Sequence, residues 1–390
     1  MAGCAHIALT PVIFVVRHPP LHQNTSRVTS DTCNTSVLLL DQHGHFSQNV
    51  AVCLGQVRSL RLHVLSDVPW PAVRMSRFVR SFHLFSARRD AAEQLNQACR
   101  VTGAEVVLPV GEFGLDLLTR CRATLPANVS LPPLATPEQL ATVTDKFALA
   151  EQLAALGLPS VATLLFTTMA AARAEIDRLA FPVLLKPVTG GAGLGIRRFE
   201  TPDALLPALA AIPPGSHIVQ SFVPGRDVDC SVLCRDGIIL AHTIQTSHRP
   251  RRDPYAVDTA LRFLPHPAVL ATAEKFLGAL RWNGVAHLDT REDARNGRIY
   301  IVDIAARYWE TLTASLAAGV NFPLLACLAA QNIPFAPPVY QPITFFVAKT
   351  PLRELVTQWS PGTQTGLALS LTDPVPRLLN LYRRFLPRKA

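Results

Sequence analysis

Lysine is scarce in this chain of 390 residues: among 37 Lys and Arg residues, only Lys146, Lys186, Lys275, Lys349 and Lys389 are lysine. Charge is low overall, at 17% of residues against 49% hydrophobic, which excludes a disordered chain and describes a globular one. A long apolar run is missing too. The best near the N-terminus, Ile7 to Val16, is broken by Thr10 and Pro11 and is too short to span a bilayer. It has neither a basic leader nor a cleavage site, so no signal peptide is expected. The eight cysteines include no CxxC pair, and Cys230 and Cys234 have no histidine at zinc-finger spacing. They read as reduced thiols in a cytoplasmic protein. No basic stretch is interleaved with aromatics, which removes nucleic acid from the expected partners, and no internal repeat is visible.

The length suffices for two or three domains. Residues 1–35 carry no pattern and read as a variable extension. From "SVLLLDQHG" onward, the apolar runs "SVLLLD", "RLHVLSD" and "AEVVLPVG" alternate with helix-like stretches such as "DAAEQLNQACRVTG". That rhythm predicts a parallel sheet with covering helices over residues 36–135. The proline-rich "LPANVSLPPLATPEQL" ends in a helix start, with Thr136 before Pro137 and Glu138, and one helix is expected to run on through "VTDKFALAEQLAALGLP". "VDCSVLCRDGIILAHTIQ" reads as two strands turned at Asp236-Gly237, and "VAHLDTRED" with "RIYIVDIA" as a second antiparallel pair turned at Asn296-Gly297. A helix-rich segment closes the chain.

The segment with most chemistry in it is "VLLKPVTGGAGLGIRRF". Gly190, Gly191, Gly193 and Gly195 follow an apolar run that ends on Lys186. A Walker A loop needs Gly-Lys-Ser/Thr after its glycines, whereas here the lysine comes before them and Gly195 leads into Ile196-Arg197-Arg198. A dinucleotide turn would open a helix, yet "GIRRFET" looks like a strand. What remains is strand, flexible glycine hairpin, strand: either a tight hairpin or a lid whose amides meet phosphates while Lys186 neutralises charge. Downstream, Gln220 can pair with a base edge and Asp227 can accept from ribose hydroxyls. Asp289 and Asp303 fall on what look like adjacent strands, two hard oxygen donors suited to Mg²⁺.

In their order and spacing these pieces resemble the ATP-grasp superfamily, and within it carboxylate–amine ligase-like proteins. The resemblance runs over residues 37–385, through "AEVVLPVGEF", "TDKFALAEQLAALGLP", "FPVLLKPVTGGAGLGI", "IVQSFVPGRDVDCSVL", "GVAHLDTRED" and "IVDIAARYWETLTASLAAGVNFPLL". It implies a Rossmann-like parallel-sheet domain over 36–135 and a two-subdomain ATP-grasp fold over 136–335, with its lid at about 160–225. Residues 336–390 would pack on it as a C-terminal segment. It further implies that Lys146 and Lys186 reach the nucleotide phosphates beneath a lid of Gly190, Gly191, Gly193 and Gly195. Gln220 would meet the adenine amino group, Phe222 and Val223 would line the hinge beside the ring, and Asp227 would bind ribose. Asp289 and Asp303 would hold Mg²⁺ or Mn²⁺, and Arg307 would face the acyl phosphate, sharing the catalytic work with Lys186.

The chain departs from this pattern at "DIAAR". The family commonly has Glu-Ile-Asn-Pro-Arg there, so Asp303 replaces a glutamate and Ala305 replaces an asparagine ligand. The implied function is therefore an ATP-dependent ligase joining a small carboxylate to an amine or other nucleophile, with a catalytically weakened ATP-binding sensor or structural module as the alternative. A homodimer is left open. Arg249, Arg251 and Arg252 in "SHRPRRDP" read as a solvated basic loop, with a contact to an acidic group as the other reading. His248 and His287 read as structural or surface groups, and Tyr308 and Trp309 as packing near the site. Leu378, Tyr382 and Phe385 mark one face of a terminal helix expected to dock on the protein rather than on a membrane.

Overall fold

The computed structural model describes residues 35–41, 45–191, 193–249, 258–348, 350 and 363–385. All of the expected N-terminal extension but residue 35 lies outside that range, as do Arg251, Arg252, Lys349 and Lys389. The first sheet is parallel, in the order β3-β2-β1-β4, from β1 (Ser36–Asp41), β2 (Arg61–Ser66), β3 (Val79–Leu84) and β4 (Val106–Pro109). Every residue of β1 is buried. Val37 and Leu39 pack on one side with the helix His45–Leu54, while Leu38 and Leu40 pack on the other with Leu95, Leu117 and Leu118. Helices on both faces account for an uninterrupted apolar strand. β3 was not foreseen, because its "VRSFHL" is half polar and lies at the sheet edge.

The expected single helix after Thr136 is two helices, Pro137–Thr144 and Lys146–Ala155. Asp145 takes extended backbone between them, and its carboxylate accepts from the Phe147 and Ala148 amides. An aspartate at that position caps a new helix rather than continuing the old one, so Lys146 becomes the first residue of the second helix.

The second sheet is antiparallel, in the order β5-β8-β6-β7, from β5 (Thr163–Leu165), β6 (Val183–Pro187), β7 (Arg197–Phe199) and β8 (His217–Ser221). The glycine segment joins β6 to β7 as an antiparallel hairpin. Gly190, Gly193 and Gly195 have φ of 101°, 72° and 76°, conformations that side-chain-bearing residues rarely adopt.

The third sheet has seven strands in the order β13-β12-β9-β10-β11-β14-β15. These are β9 (Gly225–Arg235), β10 (Ile238–Ser247), β11 (Ala260–Phe263), β12 (Gly284–Asp293), β13 (Ile299–Ala305), β14 (Thr344–Phe346) and β15 (Thr363–Thr365). One face is apolar: Val228, Cys230, Val232 and Cys234 of β9 pack with Ala286 and Leu288 of β12 against Phe276, Leu277 and Trp282. β14 and β15 come from the C-terminal segment expected to be helix-rich, so that segment extends the sheet as well as adding helices. The last helix, Pro374–Phe385, is tied down by Arg377 to the Ala348 carbonyl and by Asn380 to Gln48. Its Leu378 and Tyr382, expected on the docking face, instead face solvent at 63% and 61% exposure, and the Phe385 side chain lies outside those described. The six described cysteines are unpaired and buried. Among the described residues no helix is long and apolar enough to cross a membrane.

Candidate nucleotide and metal site

Strand periodicity builds the site. In "GRDVDCSVLCR", Asp227, Asp229 and Ser231 alternate with Val228, Cys230 and Val232, so packing the apolar set turns the polar set toward the opposite face. β12 repeats the device: Ala286 and Leu288 are buried, and His287, Asp289 and Arg291 point the other way. Cross-strand pairing sets Ser231 opposite His287 and Asp227 opposite Arg291 on β9 and β12, and Asp289 opposite Asp303 and His287 opposite Ala305 on β12 and β13.

On the smaller antiparallel sheet, Lys186 leaves β6 and donates to Gln220 Oε1 on β8 at 2.8 Å, while Gln220 Nε2 donates to Thr163 Oγ1 on β5 at 2.9 Å. Lys186 and Gln220 are buried. Burial pushes the Lys186 ammonium down to about 8; Asp303 pulls against that shift and Lys146 adds to it. Lys146 joins the two sheets. Its amide donates to the Val188 carbonyl at 3.0 Å, its Nζ donates to the Gly190 carbonyl at 2.6 Å, and the same Nζ lies 3.4 Å from Asp303 Oδ1. The glycine loop, Lys146 and Asp303 are thus brought together, with Lys186 close enough to feel Asp303 and Asp289.

The segment after β8 is held by a residue that sequence reasoning missed. Arg291 donates through Nε to the Val223 carbonyl at 2.8 Å, through Nη1 to Asp227 at 2.6 Å and through Nη2 to the Gly225 carbonyl at 2.9 Å. Its guanidinium lies 5.1 Å from the Phe222 ring centre, with that of Arg198 at 4.5 Å. Gly225 has φ of 143°, and a Cβ there would run into the Glu292 carbonyl, so only glycine fits this close approach. Asp227, the expected ribose acid, is engaged by Arg291.

At the acidic end His287, read from the sequence as a structural or surface group, lies beside the carboxylates. His287 Nε2 is 3.3 Å from Asp289 Oδ1 and its Nδ1 is 2.8 Å from Ser231 Oγ; the ring stacks on Trp309 at 5.5 Å and 16°. Asp229, His287 and Asp289 each offer a donor atom within 4.8 Å of the other two. Burial, helped by Arg307, pushes His287 down to about 4, so the ring is neutral at neutral pH. The alternation in "DVDCS" and "HLDTR" was the available signal for Asp229, His287 and Arg291. His248, by contrast, packs edge-on against Phe346. Tyr308 and Trp309 are buried, as expected of packing groups.

Arg307, just past β13, donates through Nε to Glu112 Oε1 at 2.7 Å and through Nη1 to the Tyr308 carbonyl at 3.0 Å, and lies 4.4 Å from the Phe46 ring. It therefore ties the polar face to the parallel-sheet unit. Arg249 donates to Thr259 Oγ1 at 3.0 Å.

No family model matches the chain. Among curated proteins, it is 28% identical over 166 residues to a D-alanine–D-alanine ligase of Nitratidesulfovibrio vulgaris, covering 38% of this chain and 54% of the relative. The chain thus spans about half the length of the curated relatives it matches. Among solved structures, it is similar to an L-amino acid ligase from Bacillus licheniformis (TM-score 0.58, 17% identity, 76% of this chain and 74% of the other). It is also similar to an N5-carboxyaminoimidazole synthetase from Staphylococcus aureus complexed with ADP (TM-score 0.63, 15% identity, 80% and 82%). The chain thus shares its fold with these ligase and synthetase structures.

Proposed function

We propose that the protein is an ATP-dependent ligase that activates a carboxylate as an acyl phosphate for attack by an amine. The observation that carries this reading is the position of Lys146, whose ammonium meets both the Gly190 carbonyl of the glycine loop and Asp303 of the seven-stranded sheet. A phosphoryl-transfer site needs positioning and charge neutralisation above all, and this geometry supports both. Lys146 and Lys186 would neutralise phosphates, the amides of Gly190, Gly191, Gly193 and Gly195 would donate to them, and Gln220, Phe222 and Val223 would receive the base. Asp227 would have to exchange Arg291 for ribose hydroxyls, or share them. In this reading residues 136–335 carry the nucleotide site and about 160–225 form its lid.

The carboxylate oxygen attacks the γ-phosphorus and ADP leaves with the bridging oxygen. The amine then attacks the acyl carbon, loses a proton and expels phosphate, giving an amide. Asp289 and Asp303, facing each other across β12 and β13 as oxygen donors, fit a divalent ion, Mg²⁺ or Mn²⁺, which when bound supplies charge neutralisation on the phosphoryl oxygens. Arg307, beside the same face, would meet the acyl phosphate once released from Glu112.

One observation favours a second reading, a nucleotide-binding sensor: Ala305 lies on this polar face and offers no side-chain oxygen. Purified protein incubated with ATP, Mg²⁺ and pooled carboxylates and amines separates the two. ADP and phosphate release that depends on both substrates supports the ligase. ATP binding with no substrate-dependent ADP under any condition leaves the sensor.

A further inference from the structure

Ala305 leaves a gap in the donor set, and the residue directly across the ladder from it is His287. Nε2 is the ring nitrogen turned toward the carboxylates, because Nδ1 is engaged by Ser231 Oγ at 2.8 Å and the ring is stacked flat on Trp309. Asp229 brings a second carboxylate from β9. The three donors lie within 4.8 Å of one another, and ligand–ion distances of about 2.0–2.2 Å would close that triangle around one ion with small side-chain rotations. A ligating histidine commonly donates its other ring N–H to an outer partner that fixes the ring, and Ser231 Oγ is placed to accept it here.

We propose that His287, Asp229 and Asp289 form a divalent-metal site that shares Asp289 with the Asp289–Asp303 pair and adds an imidazole nitrogen where position 305 offers no donor, and that this site prefers Mn²⁺ or a similar first-row dication to Mg²⁺. Mg²⁺ is bound almost wholly through oxygen, whereas imidazole suits transition metals and carboxylates suit Mn²⁺ as well. The inference deepens the ligase reading, since it concerns the metal of the same face, but its test does not depend on turnover.

The full chain is titrated with Mn²⁺ alone, and the bound ion is examined by pulsed electron paramagnetic resonance for coupling to a ¹⁴N nucleus. Wild type is expected to show nitrogen coupling and to bind Mn²⁺ more tightly than Mg²⁺. His287→Ala should weaken Mn²⁺ about tenfold or more and lose the coupling. His287→Asn, which restores an oxygen donor, should recover binding without the coupling and narrow the preference over Mg²⁺. Absence of nitrogen coupling in wild-type protein overturns the proposal, and so does a folded His287→Ala that binds Mn²⁺ unchanged; if that variant does not fold, the wild-type spectrum decides alone. Binding of a fluorescent ATP analogue, measured separately, tests the ligase reading. Nitrogen-coupled Mn²⁺ without nucleotide binding keeps the metal site and removes the ligase, and nucleotide binding without nitrogen coupling removes the metal site and leaves the ligase to the turnover test.

Discussion

The parallel sheet of the N-terminal unit and the seven-stranded sheet use the same backbone for opposite ends. β1 is apolar on both sides, since Val37 and Leu39 serve one core and Leu38 and Leu40 another. β9 and β12 pack one side against an apolar core, whereas the other side is apolar only at Leu233 and Val285, which pack with the helix Phe322–Ala330, and further along carries Asp227, Asp229, Ser231, His287, Asp289 and Arg291. Where a strand is packed on both faces, as along β1, it has no room for chemistry. Where packing on one face stops, as beyond Leu233 and Val285, the strand can present a polar row, each side chain placed by the pleat.

Substitutions should break this contrast in order of size. Leu39→Ala removes a fully buried side chain between packed layers; it is expected to cost about 2–5 kcal/mol in urea unfolding while leaving nucleotide affinity unchanged in the folded fraction. Lys186→Ala should do the reverse. Losing a charge-assisted contact weakens an ATP analogue about tenfold to a hundredfold, measured by equilibrium titration, with the unfolding midpoint little moved. The pH response is smaller and sharpens the same point. With Lys186 lowered to about 8 from 10.5, nucleotide affinity should fall as pH rises through 8, where the ammonium loses its proton. The unfolded lysine keeps its proton up to 10.5, so between the two values the unfolded chain binds more protons, and the stability contributed by this group rises with pH. In Lys186→Met, both trends should flatten. At the low end, Tyr382→Ser on the outward face of the terminal helix should change stability by no more than about 0.5 kcal/mol.

Much of the architecture was legible in the sequence because it is local. "SVLLLD" shows a doubly covered strand, Asp236-Gly237 turns where two strands must turn, and the glycine cluster sits in a hairpin with its lysine ahead of it. The misses have physical causes. β3 is an edge strand with polar positions, so its hydrophobic signal is weak. Asp145 reads as an ordinary helix residue until its carboxylate is seen capping the Phe147 and Ala148 amides. The outward Leu378 and Tyr382 show that helical periodicity marks a face without saying what that face meets. In the site, the lysines, Gln220 and the two aspartates were named from the motif, but their neighbours come from register. Arg291 meets Asp227 and His287 stands across from Ala305 only once β12 has been paired with β9 and β13. The Arg307–Glu112 contact spans 195 residues, a separation at which no local pattern signals contact.

The capped start of the helix Lys146–Ala155 has a consequence for the ligand-free protein. Its first residue already holds the glycine loop twice, through the amide to Val188 and the ammonium to Gly190, and the same ammonium faces Asp303. Two of the three N–H donors of this ammonium are thus directed at a carbonyl and a carboxylate from different sheets. A substitution at Lys146 would therefore be felt in two places at once, in the hold on the glycine loop and in the surroundings of Asp303.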